Sequence, residues 1–460
     1  MNLRDFIQKV KRLEIENNFF SMRNENDLVY WDIVRYETTI RLYRHIVKTA
    51  SAAPAPKRKL KSLFFHAVRS YFAYKSAVSS KKSKYLAFTF SRYRNKDGIY
   101  TDFAARDVLN LIGNEATIID TNFTPSIQYE YPVVFNLPLR IAIKKGLLID
   151  KAKNKLRHPV RYEAAEILLK EFGVTDFDLN KVVHDLILWF NIEYKYYQKL
   201  FRKTGPEAVF FVQAGMQKAM ISAAAKQGIP TIELQHGLIN SMHLAYAYTP
   251  GQNYAALNTI PTAFISFSDF WTKNTYFPVK KVFPLGNSYF SDIQNKKTPI
   301  YELTVISSII HSEDMVNMIQ QLRAAGFKGK ICLKLHPNQI QEVEYFKKYF
   351  NDDNNVDVIL DEQNLKYLLS VSNSILAIQS TSVYEALQAG VKVFIYRVKD
   401  YDMHQDLFSD RNVYFVSKAE EVLASVNSEF HTEEREVFFK QFEEASFADV
   451  LDFIQHYKNT

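Results

Sequence analysis

A chain of 460 residues, 47% hydrophobic and 23% charged, has the make-up of an ordinary globular protein with room for two or three domains, which excludes a disordered chain. The single cysteine, Cys332, rules out intrachain disulfides, argues against a cysteine metal cluster and suits a reducing cytoplasm. No stretch approaches the roughly 18 to 20 apolar residues of a membrane-spanning helix, residues 1–10 lack the apolar core of a signal peptide, and the net charge of +8 carries no nucleic-acid-binding signature.

Taken in order, residues 1–80 read as a helical extension, rich in aromatics and arginines over 27–47 and broken by Ala52-Ala53-Pro54-Ala55-Pro56. Basic clusters at Lys57, Arg58, Lys59 and Lys61, and at Lys81, Lys82 and Lys84, are interleaved with Phe64, Phe65, Tyr71, Phe72 and Tyr74. They fit peripheral contact with an anionic membrane or a charged polymer, the plainer alternative being a solvated basic face. From Tyr85 the pattern turns to alternating strands and helices. Strands are expected over 85–90, 116–119, 208–212, 229–234, 263–267 and 282–285, with helices over 102–112, 160–172, 179–201, 215–227 and 269–275. Residues 91–101 read as a polar loop, and 123–155 show no usable period. A linker over 286–299 leads to a second alternating unit with strands over 301–306, 331–335, 356–360, 374–379, 391–396 and 413–416, and the tail, 433–456, reads as helix. The expected domains are 1–80, 81–285, 286–430 and 431–460, two of them doubly wound α/β units.

Chemistry concentrates between Lys330 and Gly390. Lys334-Leu335-His336-Pro337-Asn338 and Gln379-Ser380-Thr381-Ser382 each follow a strand-like run and open a helix-like one. In open α/β sheets the ligand crevice lies at the strands' carboxyl ends, beside helix N-termini whose free N–H groups favour anions. An imidazole and several hydroxyls thus converge on a phosphate-sized space. Capping boxes, Asn338 with Gln341 and Ser382 with Glu385, would explain Asn338 and Ser382 but not His336, Ser380 or Thr381.

Two Rossmann-like halves joined by one linker and closed by a terminal helix resemble the GT-B architecture of nucleotide-sugar glycosyltransferases. The motifs add to this: His336-Pro337, followed by Ser380-Thr381-Ser382, resembles the HP and S-S/T motifs of bacterial transferases that use CMP-activated sugars, the sialyltransferases and Kdo transferases of capsule and lipopolysaccharide assembly. Gln235-His236-Gly237 is similar to a motif of surface-polysaccharide transferases. The fold class this implies is α/β, GT-B, with two doubly wound domains facing a cleft and an N-terminal helical extension. The acidic motif that carries the base in several sialyltransferases has only a partial match, Lys96-Asp97-Gly98, which shifts the expectation towards Kdo or another donor.

The resemblance implies transfer of a sugar from a CMP-linked donor to a glycan or lipid-linked glycan, on the cytoplasmic side, with no cofactor or metal beyond the co-substrate. His336 is assigned to the departing phosphate; Pro337, Asn338, Ser307, Ser308, Ser380, Thr381 and Ser382 complete the donor site, and Glu385 takes ribose hydroxyls. Across the cleft, His236, Asp97 and Asp102 are candidate acid–base groups, and Gln235, Gly237, Arg92 and Arg94 candidate acceptor contacts. His158-Pro159 repeats the dipeptide with no strand before it and is set aside. Competing readings are a CDP-glycerol-type glycerophosphotransferase, a UDP-sugar transferase or epimerase of the same fold, and a non-catalytic polysaccharide-assembly scaffold.

Overall fold

The computed structural model describes residues 1–47, 71–75, 77, 83–90, 93–94, 98–120, 128–153, 160–254, 256–293, 297–308, 311–336, 339, 342–360, 364–398, 400–432 and 436–458. The basic cluster at 57–61, Lys81, Lys82 and the His158-Pro159 dipeptide lie outside these residues. Among the described residues, no helix is long and apolar enough to cross a membrane.

The strands in chain order begin with β1 (Tyr85–Thr89), a short antiparallel hairpin of β2 (Tyr93–Arg94) and β3 (Tyr100–Thr101), then β4 (Ala116–Asp120) and β5 (Val133–Phe135). After a helical stretch come β6 (Ala208–Val212), β7 (Thr231–Leu234), β8 (Ala263–Ile265) and β9 (Lys281–Phe283). Apart from the hairpin these form one seven-stranded parallel sheet, ordered β5-β4-β1-β6-β7-β8-β9, with Ala87 of β1 registered against Ile118 on one side and Phe210 on the other. All five residues of β1 are buried, as a parallel strand covered on both faces requires. The long Leu179–Thr204 helix packs against the Trp31–Ile46, Leu137–Lys153 and Lys218–Ala225 helices. A separate apolar layer joins Tyr85 and Phe210 to Val108, and to Phe447, Val450 and Ile454 of the Phe447–Lys458 helix.

The second sheet contains β10 (Tyr301–Ile306), β11 (Ile331–Lys334), β12 (Val356–Ile359), β13 (Ser372–Ala377), β14 (Lys392–Tyr396) and β15 (Val413–Val416), all parallel, in the order β12-β11-β10-β13-β14-β15. The fold is therefore two doubly wound Rossmann-like sheets of GT-B type with helices before the first. The strand expected over 374–379 starts and ends two residues earlier. Its polar opening is satisfied internally, since Ser372 Oγ donates to Leu368 O at 2.6 Å and Ser374 Oγ to Glu302 O at 2.8 Å. Cys332 is fully buried in β11 and burial pushes its thiol up to about 12.

The N-terminal helices, Leu3–Glu16 and Trp31–Ile46, are built into the first half by buried charge. Arg35 Nε and Nη2 bind the two oxygens of Glu14 at 2.6 and 2.8 Å, while Nη1 and Nη2 reach Leu244 O and Ala247 O at 2.5 and 3.1 Å. Both charged side chains are at most 2% exposed. Asp32, equally buried, accepts from Lys218 Nζ at 2.8 Å and Tyr248 OH at 2.6 Å. Burial alone would raise the Asp32 carboxyl, but the Lys218 ammonium and these hydrogen bonds outweigh it and hold it below the ordinary range.

Removing one member of such a pair strands the other. Arg35→Met is expected to lower the unfolding free energy by about 3–5 kcal/mol, and Arg35→Met with Glu14→Leu by less, read from urea denaturation midpoints. An unchanged midpoint in Arg35→Met would show that the pair contributes nothing.

Candidate functional site

In both sheets the winding reverses beside the first strand, leaving crevices at the carboxyl ends of β1 and β6 and of β10 and β13. In the second sheet the residues following those two strands are the expected ones. Ser307 follows β10, donates its N–H to Lys334 O at 2.9 Å and is 6% exposed. Its hydroxyl is buried and makes no hydrogen bond to any described residue. Ser308 beside it is half-buried. Across the crevice, Ser380 Oγ donates to Ser382 Oγ at 2.8 Å and accepts from Ser382 N–H at 3.2 Å. Ser380 therefore caps the Ser382–Gln388 helix, and the capping box expected from Ser382 and Glu385 does not form. The Glu385 carboxyl is pushed up to about 7 by burial, against the pull of Lys366.

His336 follows β11, the strand next to β10, and is exposed. Its backbone N–H donates to Gln339 Oε1 at 2.9 Å, so Gln339 shapes the turn that presents the ring. Crowding by neighbouring atoms, and then the Lys334 ammonium, hold the imidazole below its usual value, so it is neutral at pH 7 with one N–H to donate. Pro337 and Asn338 lie outside the described residues.

From the first sheet, the segment after β7 crosses to the same place. A Cβ built on Gly237 would lie 3.9 Å from Thr381 Cγ2, which brings the Gln235-His236-Gly237 turn against the Ser380–Ser382 turn. Asn240 Nδ2 donates to Met403 O at 2.6 Å, and Gln405 Nε2 to Ser241 Oγ at 2.5 Å. Gln235 is a strut: its Oε1 accepts from Phe267 N–H and its Nε2 donates to Gly237 O, both at 2.9 Å. His236 is half-buried at the turn's tip. Asp102 sits at the other reversal with both oxygens occupied, accepting from Phe90 N–H at 2.8 Å and Ala104 N–H at 3.1 Å, and burial pushes it up to about 6. Arg94 lies in β2, whereas Asp97 and Arg92 are outside the described residues.

Three groups that positional reasoning did not pick out hold this arrangement. His404, fully buried in the Tyr401–Leu407 turn, accepts the Ser380 N–H on Nε2 at 3.2 Å. Glu233, buried in β7, accepts from Ala214 N–H at 2.8 Å and Tyr246 OH at 2.7 Å and is pushed by burial up to about 7. Asp400 accepts from Tyr43 OH at 2.6 Å and lies 3.7 Å from His311 Nε2, joining the second N-terminal helix to the loop after β10. None of the three has a local spacing signal, because each partner comes from a distant element.

Burial holds the His404 ring down at about 3, so the folded protein keeps it neutral while the unfolded chain takes up a proton near pH 6.5. The stability this group contributes is complete above pH 6.5 and is lost as pH falls towards 3, by up to about 1.4 kcal/mol per pH unit. The difference in unfolding free energy between wild type and His404→Gln is therefore expected to fall steadily from pH 6 to pH 4 in denaturant titrations. A difference independent of pH would show that the ring is not held neutral.

No family model matches the chain, and no curated protein matches it. Among solved structures it is similar to a Methanocaldococcus jannaschii UDP-GlcNAc 2-epimerase in complex with UDP-GlcNAc and UDP, at 12% identity, with 81% of this chain and 99% of that one covered and a TM-score of 0.44. It is also similar to S. aureus MnaA with UDP, at 11% identity over 82% and 97% of the two chains, TM-score 0.47. For Acinetobacter baumannii MurG the identity is 11%, the coverage 70% and 82%, and the TM-score 0.38.

Proposed function

We propose that the protein is a nucleotide-sugar-dependent glycosyltransferase of surface-glycan assembly, binding the donor's phosphate in the crevice between β10 and β13. The observation that carries this reading is the buried Ser307 hydroxyl, which has no described hydrogen-bond partner and stands at the sheet's reversal across from the Ser380–Ser382 turn. A buried hydroxyl left unpaired costs roughly 1–3 kcal/mol, and a phosphate oxygen there would offset that cost. Ser308, Ser380 and Thr381 complete the phosphate contacts, with the helix that Ser382 opens behind them. His336 donates its N–H to the departing phosphate, and Glu385 takes ribose hydroxyls. His236, brought to the same place from the first sheet, receives the acceptor's proton. A nucleotide donor and a buried, reduced thiol both fit the cytoplasm, with a glycan or lipid-linked glycan as acceptor.

The donor's base is open between two groups. UDP-linked sugars come first, being the ligands named for the similar solved structures, and CMP-linked sugars follow from the HP and S-S/T resemblance. Calorimetric titration with UDP, UMP, CMP and CDP, without added metal, tests both. One pyrimidine nucleotide is expected to bind, and Ser307→Ala to weaken it about tenfold without loss of stability, since the deleted hydroxyl makes no bond in the free protein. His336→Ala should abolish transfer in a folded protein. If none of the four nucleotides binds, the scaffold reading replaces this one; a product isomeric with the donor would make the enzyme an epimerase, and a transferred phosphoglycerol would point to the glycerophosphotransferase.

A further inference from the structure

The Leu137–Lys153 helix and the flank of the Leu179–Thr204 helix beside it carry a surface that nothing in the cleft explains. The two helices pack closely, for a Cβ on Gly146 would overlap Ile192. Asn136, just before the first helix, accepts from Tyr196 OH at 2.6 Å, and Asp150 near its end lies 4.0 Å from His184. The helices therefore run antiparallel, with one face of the first turned inward. Its outward stripe follows the i, i+3, i+4, i+7 rule at 141, 144, 145 and 148. Ile141 is 50% exposed, Leu148 70% and Ile149 45%, and Lys144 and Lys145 are exposed between them. Trp189, 45% exposed, shares a stripe of its helix with Ile192 and Tyr196, the residues that touch the first helix, so it flanks this face.

Neither lysine forms an ion pair among the described residues; of the nearby carboxylates, Asp150 lies beside His184, Asp185, one turn before Trp189, meets Lys181 Nζ at 2.6 Å, and Glu193, one turn after Trp189, is half-buried and pushed by burial up to about 7. Residues 71–75 extend the patch, because Tyr74 hydrogen-bonds Tyr196 while Phe72 and Lys75 stay exposed. Branched aliphatics, a tryptophan and lysines on one face, with Glu193 the one acid among them that forms no ion pair with a described residue and is held towards neutrality by burial, match the chemistry of an anionic bilayer surface: the apolar groups enter the acyl boundary and the ammonium groups meet lipid phosphates. From this charge complementarity we propose that the Leu137–Lys153 helix and Trp189 form a docking surface for anionic lipid. This surface is independent of the nucleotide reading, since it contains no cleft residue.

Intrinsic fluorescence reads it directly. The chain has three tryptophans, and Trp31 and Trp271 are at most 1% exposed, so Trp189 is the one solvent-facing reporter. Full-length protein is mixed with phosphatidylglycerol or phosphatidylcholine vesicles and followed by emission and by co-sedimentation. Expected are a blue shift and sedimentation with phosphatidylglycerol alone, loss of both in Leu148→Ser with Ile149→Ser, and an affinity lowered about 25-fold in Lys144→Gln with Lys145→Gln, roughly fivefold per charge. The substituted positions are exposed, so unchanged circular dichroism should accompany both variants. Absence of binding to phosphatidylglycerol overturns the proposal. So does binding that both variants retain, which would place it elsewhere on the chain, or a concentration-dependent dimer that Leu148→Ser dissolves, which would identify the occupant as a second copy.

Discussion

Arg35 is the side chain on which the seating of the N-terminal helices against the first half depends. Its guanidinium is fully buried, so each N–H needs an acceptor, and the acceptors come from two places at once: the carboxylate of Glu14 and the carbonyls of Leu244 and Ala247. The last two belong to the segment that leaves β7 through the Gln235-His236-Gly237 turn. A charge on the second N-terminal helix thus sets the path of the chain that meets Thr381. The same helices reach the other half as well, through Tyr43 to Asp400 and through the Arg4 N–H to Asp402 Oδ2 at 2.8 Å. They are a common wall of both halves, where the sequence read as an appended layer.

The C-terminal tail makes a second crossing. Gly286, at φ +91°, lets it pass, because a Cβ there would collide with the carbonyls of Lys440 and Gln441. Phe439 is then gripped through both its backbone groups by the Gln388 amide, at 2.6 and 2.7 Å, at the end of the helix that Ser382 opens. Burial sets the charge states between these crossings. It drives carboxyls such as Glu233 and Glu385 towards neutrality and keeps the His404 ring uncharged, so the Ser380–Ser382 turn is held by dipoles and hydroxyls, the kind of group that a phosphate can meet without a competing anion.

What could be read from the sequence was what local pattern encodes. The apolar runs at 301–306 and 413–416 stand at the bounds of β10 and β15, and His336, Ser307 and Ser380 stand at strand ends as the spacing implies. The Leu137–Lys153 helix stayed hidden because its outward face carries Ile141, Leu148 and Ile149, which erase the polar half of a helical period. β5, only three residues long and half-buried, gave too short a run to register. The capping box failed through competition, since Ser380, two residues upstream, takes the N–H first. The Glu14–Arg35 and His404–Ser380 contacts join residues 21 and 24 apart, and no periodicity predicts which buried charge or ring will meet which partner.

The isolation of Cys332 has a practical consequence. Its thiol is enclosed in β11 with its ionisation pushed far up, so the thiolate that attacks alkylating labels is scarce and out of reach. The native chain is in effect a cysteine-free background. A cysteine introduced at an exposed position would therefore be the one reactive site, and a label could be attached there without first removing any native residue.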